Sequence, residues 1–136
     1  MSPGNPMSHY SISDLSKEFD LTSRAIRFYE DKGLLSPERI GTKRLYNRKD
    51  RARIKLIVRG KKLGFSLSEI DELIELYENK DDEVPQLLVY RDKLLIQLSK
   101  MEQQKSELER MIFDVKVAER ECLATLNAKG IETDDL

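Results

Sequence analysis

Cysteine, histidine and tryptophan are nearly missing from this chain of 136 residues, which holds one Cys, one His and no Trp. A single thiol, Cys122, excludes an internal disulfide framework and any metal site built from several thiolates of one chain. His9, close to the N-terminus, reads as a solvated tail residue rather than a ligand. No apolar run approaches the roughly 18 residues that a bilayer crossing needs, and no basic-then-apolar leader is present. The expected location is therefore cytoplasmic, with no membrane partner. Also missing are a glycine-rich phosphate loop, a nucleophile-base-orienter set and a paired-carboxylate constellation. The expectation is no enzyme and no cofactor.

What is present is charge, at 36% of residues, and it is unevenly placed. Residues 8–65 hold 15 Lys and Arg against 7 Asp and Glu, a net of +8, whereas residues 66–136 hold 9 against 18, a net of −9. A basic half joined to an acidic half points to a polyanion-binding module carried by a segment that stays off the polyanion.

Residues 1–8, rich in Pro, Gly, Ser and Asn, read as a disordered lead-in. Beyond them one local device recurs. Ser11, Thr22 and Ser66 stand as helix N-caps, each with an apolar residue before it and another four positions inside the helix: Tyr10 with Leu15, Leu21 with Ile26, Phe65 with Ile70. Glu69 completes a capping box with Ser66. The first helix puts Ile12, Leu15 and Phe19 on one face; the second runs from Thr22 to Lys32 and stops at Gly33. Two short helices joined by a tight turn form a helix-turn-helix pattern.

The helical period then lapses between Leu34 and Asn47, where a small hairpin turning near Gly41 is expected. A third helix is expected from about Arg48 to Leu63 with Ile54, Ile57 and Val58 inward, and a fourth from Leu67 to Tyr77. Residues 79–84 read as a polar linker, and the tail over 128–136 as acidic. Between them, over 85–127, Leu87, Leu94, Met101, Leu108, Val115 and Cys122 fall seven residues apart, joined by Leu98, Ile112 and Leu126 on alternate heptads. This is a coiled-coil seam. A domain this small has nothing to cover so long a stripe, so a homodimer is expected. Arg91, Lys105 and Glu119 interrupt the seam and restrict its register.

On the second helix, Thr22, Ser23 and Arg24 supply the short polar or basic first turn that a major-groove helix presents to base edges, with Arg27 and Phe28 on the same side. Tyr29 is counted among the DNA-binding residues too, although it shares with Ile26 the task of holding the helix down. Arg39, Lys43 and Arg44 on the hairpin are expected at phosphates or in a minor groove, and the hydroxyl of Tyr46 at a backbone phosphate. Arg59, Lys61 and Lys62, beside Gly60 and Gly64, read as a second phosphate-contacting wing; the other cations of the third helix supply long-range field.

The motifs Arg24-Ala-Ile-Arg-Phe-Tyr-Glu30, Gly33-Leu-Leu35, Arg44-Leu-Tyr46 and Leu63-Gly-Phe-Ser-Leu-Ser-Glu-Ile70 strongly resemble the MerR family of bacterial transcription regulators. The resemblance covers Tyr10 to Tyr77 in order and without gaps. It implies a mainly α protein: a winged helix-turn-helix DNA-binding domain over 9–78, followed by a long dimerisation helix that pairs as an antiparallel coiled coil. It also implies a nucleoid-associated dimer on a pseudo-palindromic operator, distorting the spacer between −35 and −10 elements, with RNA polymerase an indirect partner and a small molecule as effector. The stretch from Arg48 to Phe65 looks most like regulators of leucine and isovalerate catabolism. Metal sensors of the family place a Cys at the start of the dimer helix, where Asp81 to Tyr90 has none. A thiol or metal sensor acting through Cys122 is the alternative; a coiled-coil adaptor binding RNA or acidic protein is a third reading, disfavoured because the aromatics fall at core spacings.

Overall fold

The computed structural model describes residues 9–79 and 83–135, and the expected lead-in over 1–8 lies outside them. Two compact units divide at Tyr90. The first contains α1 (Ile12–Phe19), α2 (Ser23–Asp31), a hairpin of β1 (Glu38–Ile40) and β2 (Lys43–Leu45), α3 (Arg48–Lys62), α4 (Leu67–Glu78) and the first turns of α5 (Glu83–Ala128). The second unit is the rest of α5 and a short 3-10 turn over Thr133–Asp135. Among the described residues no helix is long and apolar enough to cross a membrane.

All three expected caps are formed. The Ser11 hydroxyl accepts from the Asp14 amide at 3.0 Å, that of Thr22 from Ala25 at 3.0 Å, and that of Ser66 from Glu69 at 3.1 Å. Two further capping boxes escaped the sequence reading because their third helical residue is Asp rather than Glu: Ser11 with Asp14, and Asn47 with Asp50. The turn between α1 and α2 is made by Asp20 in the left-handed region (φ 54°), one of the few side chains that tolerate it. The Leu21 amide closes that turn on the Ser16 carbonyl at 3.0 Å. At the end of α2, Gly33 at φ 80° allows the Leu34 amide to reach back to the Tyr29 carbonyl at 3.0 Å.

Leu15, Ile26, Tyr46, Ile54, Ile57, Ile70 and Ile74 are fully buried and form the core of the first unit. Val58, expected inward, is half-buried. Tyr10 does more than staple α1. It exchanges backbone hydrogen bonds with Tyr46 at 2.7 and 2.9 Å, adding a bridge beside the hairpin. Asp50, almost fully buried, takes the Ser36 amide on one oxygen at 3.0 Å and the Asn47 amide on the other at 3.1 Å, so no charge is stranded.

Two boundaries differ from expectation. Glu83 and Val84 are helical rather than linker, as Glu83 is an acidic first-turn residue and Pro85 is tolerated there. Residues 80–82 of that linker lie outside the described residues. The tail is not featureless: Gly130 at φ 80° ends α5, with the Ile131 amide on the Leu126 carbonyl at 3.0 Å. Gly60 lies buried inside α3. A Cβ there would sit 2.6 Å from Cγ1 of Ile70, so the glycine sets how closely α4 approaches α3. Gly60→Ala is expected to lower stability by about 1 kcal/mol in urea unfolding, overpacking of about 1–3 kcal/mol exceeding the helix-propensity gain of roughly 1 kcal/mol.

Candidate nucleic-acid interface

Burial of Ile26 and Tyr29 against the core fixes the rotation of α2, and the opposite side then carries Arg24, Arg27 and Phe28, all exposed. Among the described residues neither arginine makes an ion pair, and the ring of Phe28, 45% exposed, lies under the Lys32 ammonium at 5.4 Å. Thr22 caps the helix and is exposed, and Ser23 beside it is half-buried. The positive end of the helix dipole and its first free amides therefore face outward together with a guanidinium.

The hairpin next to α2 turns at Gly41 (φ 64°), which holds the first position of a two-residue turn. Lys43 is exposed at its tip and makes no ion pair among the described residues. Its neighbours are engaged inward instead: Arg39 Nη2 lies 2.9 Å from Glu30 Oε2, Arg44 Nε lies 2.8 Å from Glu30 Oε1, and the Tyr46 hydroxyl stands 3.4 Å from the same Oε1. One carboxylate at the end of α2 thus gathers both strands of the wing. Burial pushes the Glu30 carboxyl up, but the Arg39 and Arg44 guanidiniums outweigh it and hold it below the ordinary carboxylate range. Burial, followed by the Glu30 charge, pushes the Tyr46 hydroxyl to about 12.

Two expected DNA contacts are corrected by this geometry. Tyr29 is 7% exposed, a core residue whose hydroxyl is raised by burial. Tyr46 is fully buried and its hydroxyl is directed at Glu30 rather than at a phosphate. Arg39 and Arg44 keep partly exposed side chains, at 59% and 23%, while serving Glu30. The cations of α3 also divide. Arg51 pairs with Glu18 and lies near the rings of Tyr10 and Phe19, and Arg53 holds Glu78 through two bonds of 2.8 and 2.7 Å while donating to the Leu34 carbonyl at 3.0 Å. Arg48, Lys55, Arg59, Lys61 and Lys62 are exposed without ion pairs among the described residues. Arg59, Lys61 and Lys62 sit on the last turn of α3, a helix end rather than a strand-built wing.

Glu30 went unrecognised as the organiser of the wing because its partners are 9 to 16 residues away, outside any helical period. Its lowered carboxyl gives a stability contribution that is present above the unfolded value near 4.5 and lost as pH falls through the lower folded value. Wild-type unfolding free energy is accordingly expected to drop on acidification below that value, and Glu30→Gln to flatten this part of the profile in chemical denaturation between neutral and acid pH.

Residues 10–76 match the family model of the MerR HTH family regulatory proteins, and residues 51–114 match that described as MerR, DNA binding. The HTH-type transcriptional regulator HmrR of Rhizobium leguminosarum bv. viciae is 42% identical over 72 residues, 52% of this chain and 56% of that one. The chain thus spans about half the length of this and other curated relatives it matches. Coverage is broader for the HTH-type transcriptional regulator CueR of Yersinia pestis, 31% identical over 115 residues, 82% of this chain and 80% of that one. Among solved structures, the transcription regulator PbrR691 from Ralstonia metallidurans CH34 in complex with lead(II) aligns with a TM-score of 0.61 at 27% identity, covering 77% of this chain and 83% of that one.

Proposed function

Because the chain belongs to the MerR family of helix-turn-helix regulators, DNA-binding transcription factors rather than enzymes, we propose that it works as a homodimer on a pseudo-palindromic promoter operator. In this reading α2 enters the major groove, while Lys43 on the hairpin and the end of α3 meet phosphates. The observation that carries it is the outward row of Arg24, Arg27 and Phe28 on a capped helix whose neighbouring wing is tied to it through Glu30. Fixing the wing relative to α2 preorganises two contact points on one duplex, and lowers the ordering cost of binding.

Distortion of the spacer between −35 and −10 elements is the second part of the proposal. Bending and untwisting a site of this length costs on the order of 1–6 kcal/mol, which the added phosphate contacts of two protomers offset. RNA polymerase then meets promoter elements brought into register. The regulated genes are proposed to serve branched-chain amino acid catabolism, on the strength of the stretch from Arg48 to Phe65, with a small-molecule effector. Footprinting on the protein's own upstream DNA, with and without branched-chain acyl-CoA thioesters, tests this. Protection of one symmetric site, altered by the thioester, is the expected result; absence of any protected site removes the operator reading.

A second reading follows from the lead(II)-bound relative and the exposed thiol of Cys122. Among the described residues no three His, Cys, Asp or Glu side chains gather as a metal-binding group within one protomer. A thiol response remains as the alternative, and Cys122→Ser separates the two: a thiol sensor loses its response, a small-molecule regulator keeps it.

A further inference from the structure

α3 and α4 form a helical hairpin whose closed end is packed by Gly60 against Ile70. Its open end is held by a side chain. Arg53 donates from Nε to Glu78 Oε2 at 2.8 Å and from Nη2 to Glu78 Oε1 at 2.7 Å, while its Nη1 donates to the Leu34 carbonyl at 3.0 Å. The two partners belong to different parts of the fold. Leu34 follows Gly33 at the end of α2 and is buried, and its amide returns to the Tyr29 carbonyl of that helix at 3.0 Å, so the Leu34 carbonyl moves with the helix-turn-helix. Glu78 is the last residue of α4, one turn beyond Ile74, the last core side chain of that helix. The next carbonyl, that of Asn79, accepts from the Gln86 side-chain amide at 2.6 Å, which brings in the first turns of α5. Arg53 thus stands in the middle of a continuous path from α2 through α3 and α4 to α5.

We infer that Arg53 is a positioning residue for DNA recognition: it fixes the placement of α2 relative to the first turns of α5, and through it the half-site separation that the dimer accepts. Two copies joined through α5 distort a duplex only if force reaches α2 without loss, and a contiguous chain of packed helices and hydrogen bonds carries it. The residue type fits the task. A planar guanidinium meets a carboxylate with two parallel donors and keeps a third for a carbonyl in another direction, whereas an ammonium is a point charge that does not fix both. Lys49 stands 4.0 Å from the same Glu78 carboxylate, so removing Arg53 frees the joint and still leaves that charge a neighbouring cation. Folding is carried elsewhere, by Ile54, Ile57, Ile70 and Ile74 in the core. The inference deepens the operator reading and rests on it for the half-site consequence alone.

Spin-label distances in the full chain without DNA test the joint. The labels go on Ser13→Cys in α1 and Val89→Cys in α5, both exposed positions, in a Cys122→Ser background. Excess unlabelled chain ensures that only separations within one chain are read. The expected result is one narrow distribution, about twofold broader in Arg53→Met and in Glu78→Gln, and partly restored in Arg53→Lys. Ile54→Val, which destabilises α3 from the core without touching the joint, should keep the narrow distribution. Helix content by circular dichroism confirms that each variant folds; should Arg53→Met fail to fold, Glu78→Gln reads the same joint. An unchanged distribution in the folded variants overturns the inference, as does equal broadening in Ile54→Val, which would reduce Arg53 to a structural contact. The second arm titrates the footprinted upstream site with one base pair inserted or removed between its halves. The unsubstituted protein should lose about tenfold in affinity on either change, while Arg53→Met binds the three lengths within about threefold of one another. Equal discrimination by the two proteins overturns the half-site consequence. A missing operator leaves the label distances readable, so failure of the operator reading and failure of the joint are seen apart.

Discussion

Replacing Leu98 and Ile112 together by Asp is expected to turn the protein into a monomer and to lower operator affinity by about 10²–10⁴-fold. None of the 46 residues of α5 is buried within the single chain. The heptad positions Leu98, Met101, Leu108 and Ile112 are 53%, 48%, 56% and 46% exposed, although each leucine or isoleucine gains about 1.5–3 kcal/mol when fully covered. A helix leaving such a row in water is completed by another helix, and two acidic groups on the seam would each be desolvated without a partner. The affinity loss follows from geometry. In a dimer the second reading helix is presented to its half-site at high effective concentration; in a monomer it must be captured from bulk. Sedimentation equilibrium and gel-shift titration read the two effects. A variant that stays dimeric, or a monomer that keeps wild-type affinity, would remove the seam from the account.

The elements that could be read from the sequence are those whose cause is local. Ser11, Thr22 and Ser66 cap their helices within three residues, Gly33 and Gly41 turn the chain where only small residues sit easily, and the seven-residue leucine row needs no tertiary knowledge. What escaped were pairings across long separations. Glu18 with Arg51, Glu30 with Arg39 and Arg44, and Glu78 with Arg53 join residues 9 to 33 positions apart, and no periodicity marks them. Their effect on the site is direct, because four of the expected interface and field arginines, and Lys49 at 4.0 Å from Glu78, turn out to be partly neutralised by the fold. The same blindness explains the Tyr46 hydroxyl: its packing role is legible from the sequence, but its partner Glu30 lies 16 residues away and is not. Tyr29 carries the opposite lesson, since helical spacing beside Ile26 already put it on the inner face.

Arg24→Ala is expected to cost about 1–3 kcal/mol of operator affinity and to relax base preference at one position in each half-site. Arg24 is the second residue of α2, exposed, on the face opposite the buried Ile26 and Tyr29. With no carboxylate pairing it among the described residues, its five donors are available for the bidentate contact that a guanine edge offers. Lys43→Ala is the contrasting case. Its ammonium stands at the hairpin tip beside Arg44, which is committed to Glu30, so in the proposed complex Lys43 is expected to carry the phosphate contact more than Arg44. Lys43→Ala should weaken every sequence alike and reduce the salt slope by about 1, leaving preference intact. The two signatures are separable in one set of binding titrations over substituted operators at several salt concentrations. Should Arg24→Ala leave both affinity and preference unchanged, the first turn of α2 does not read bases, and the reading face would have to begin a turn later, at Arg27 and Phe28.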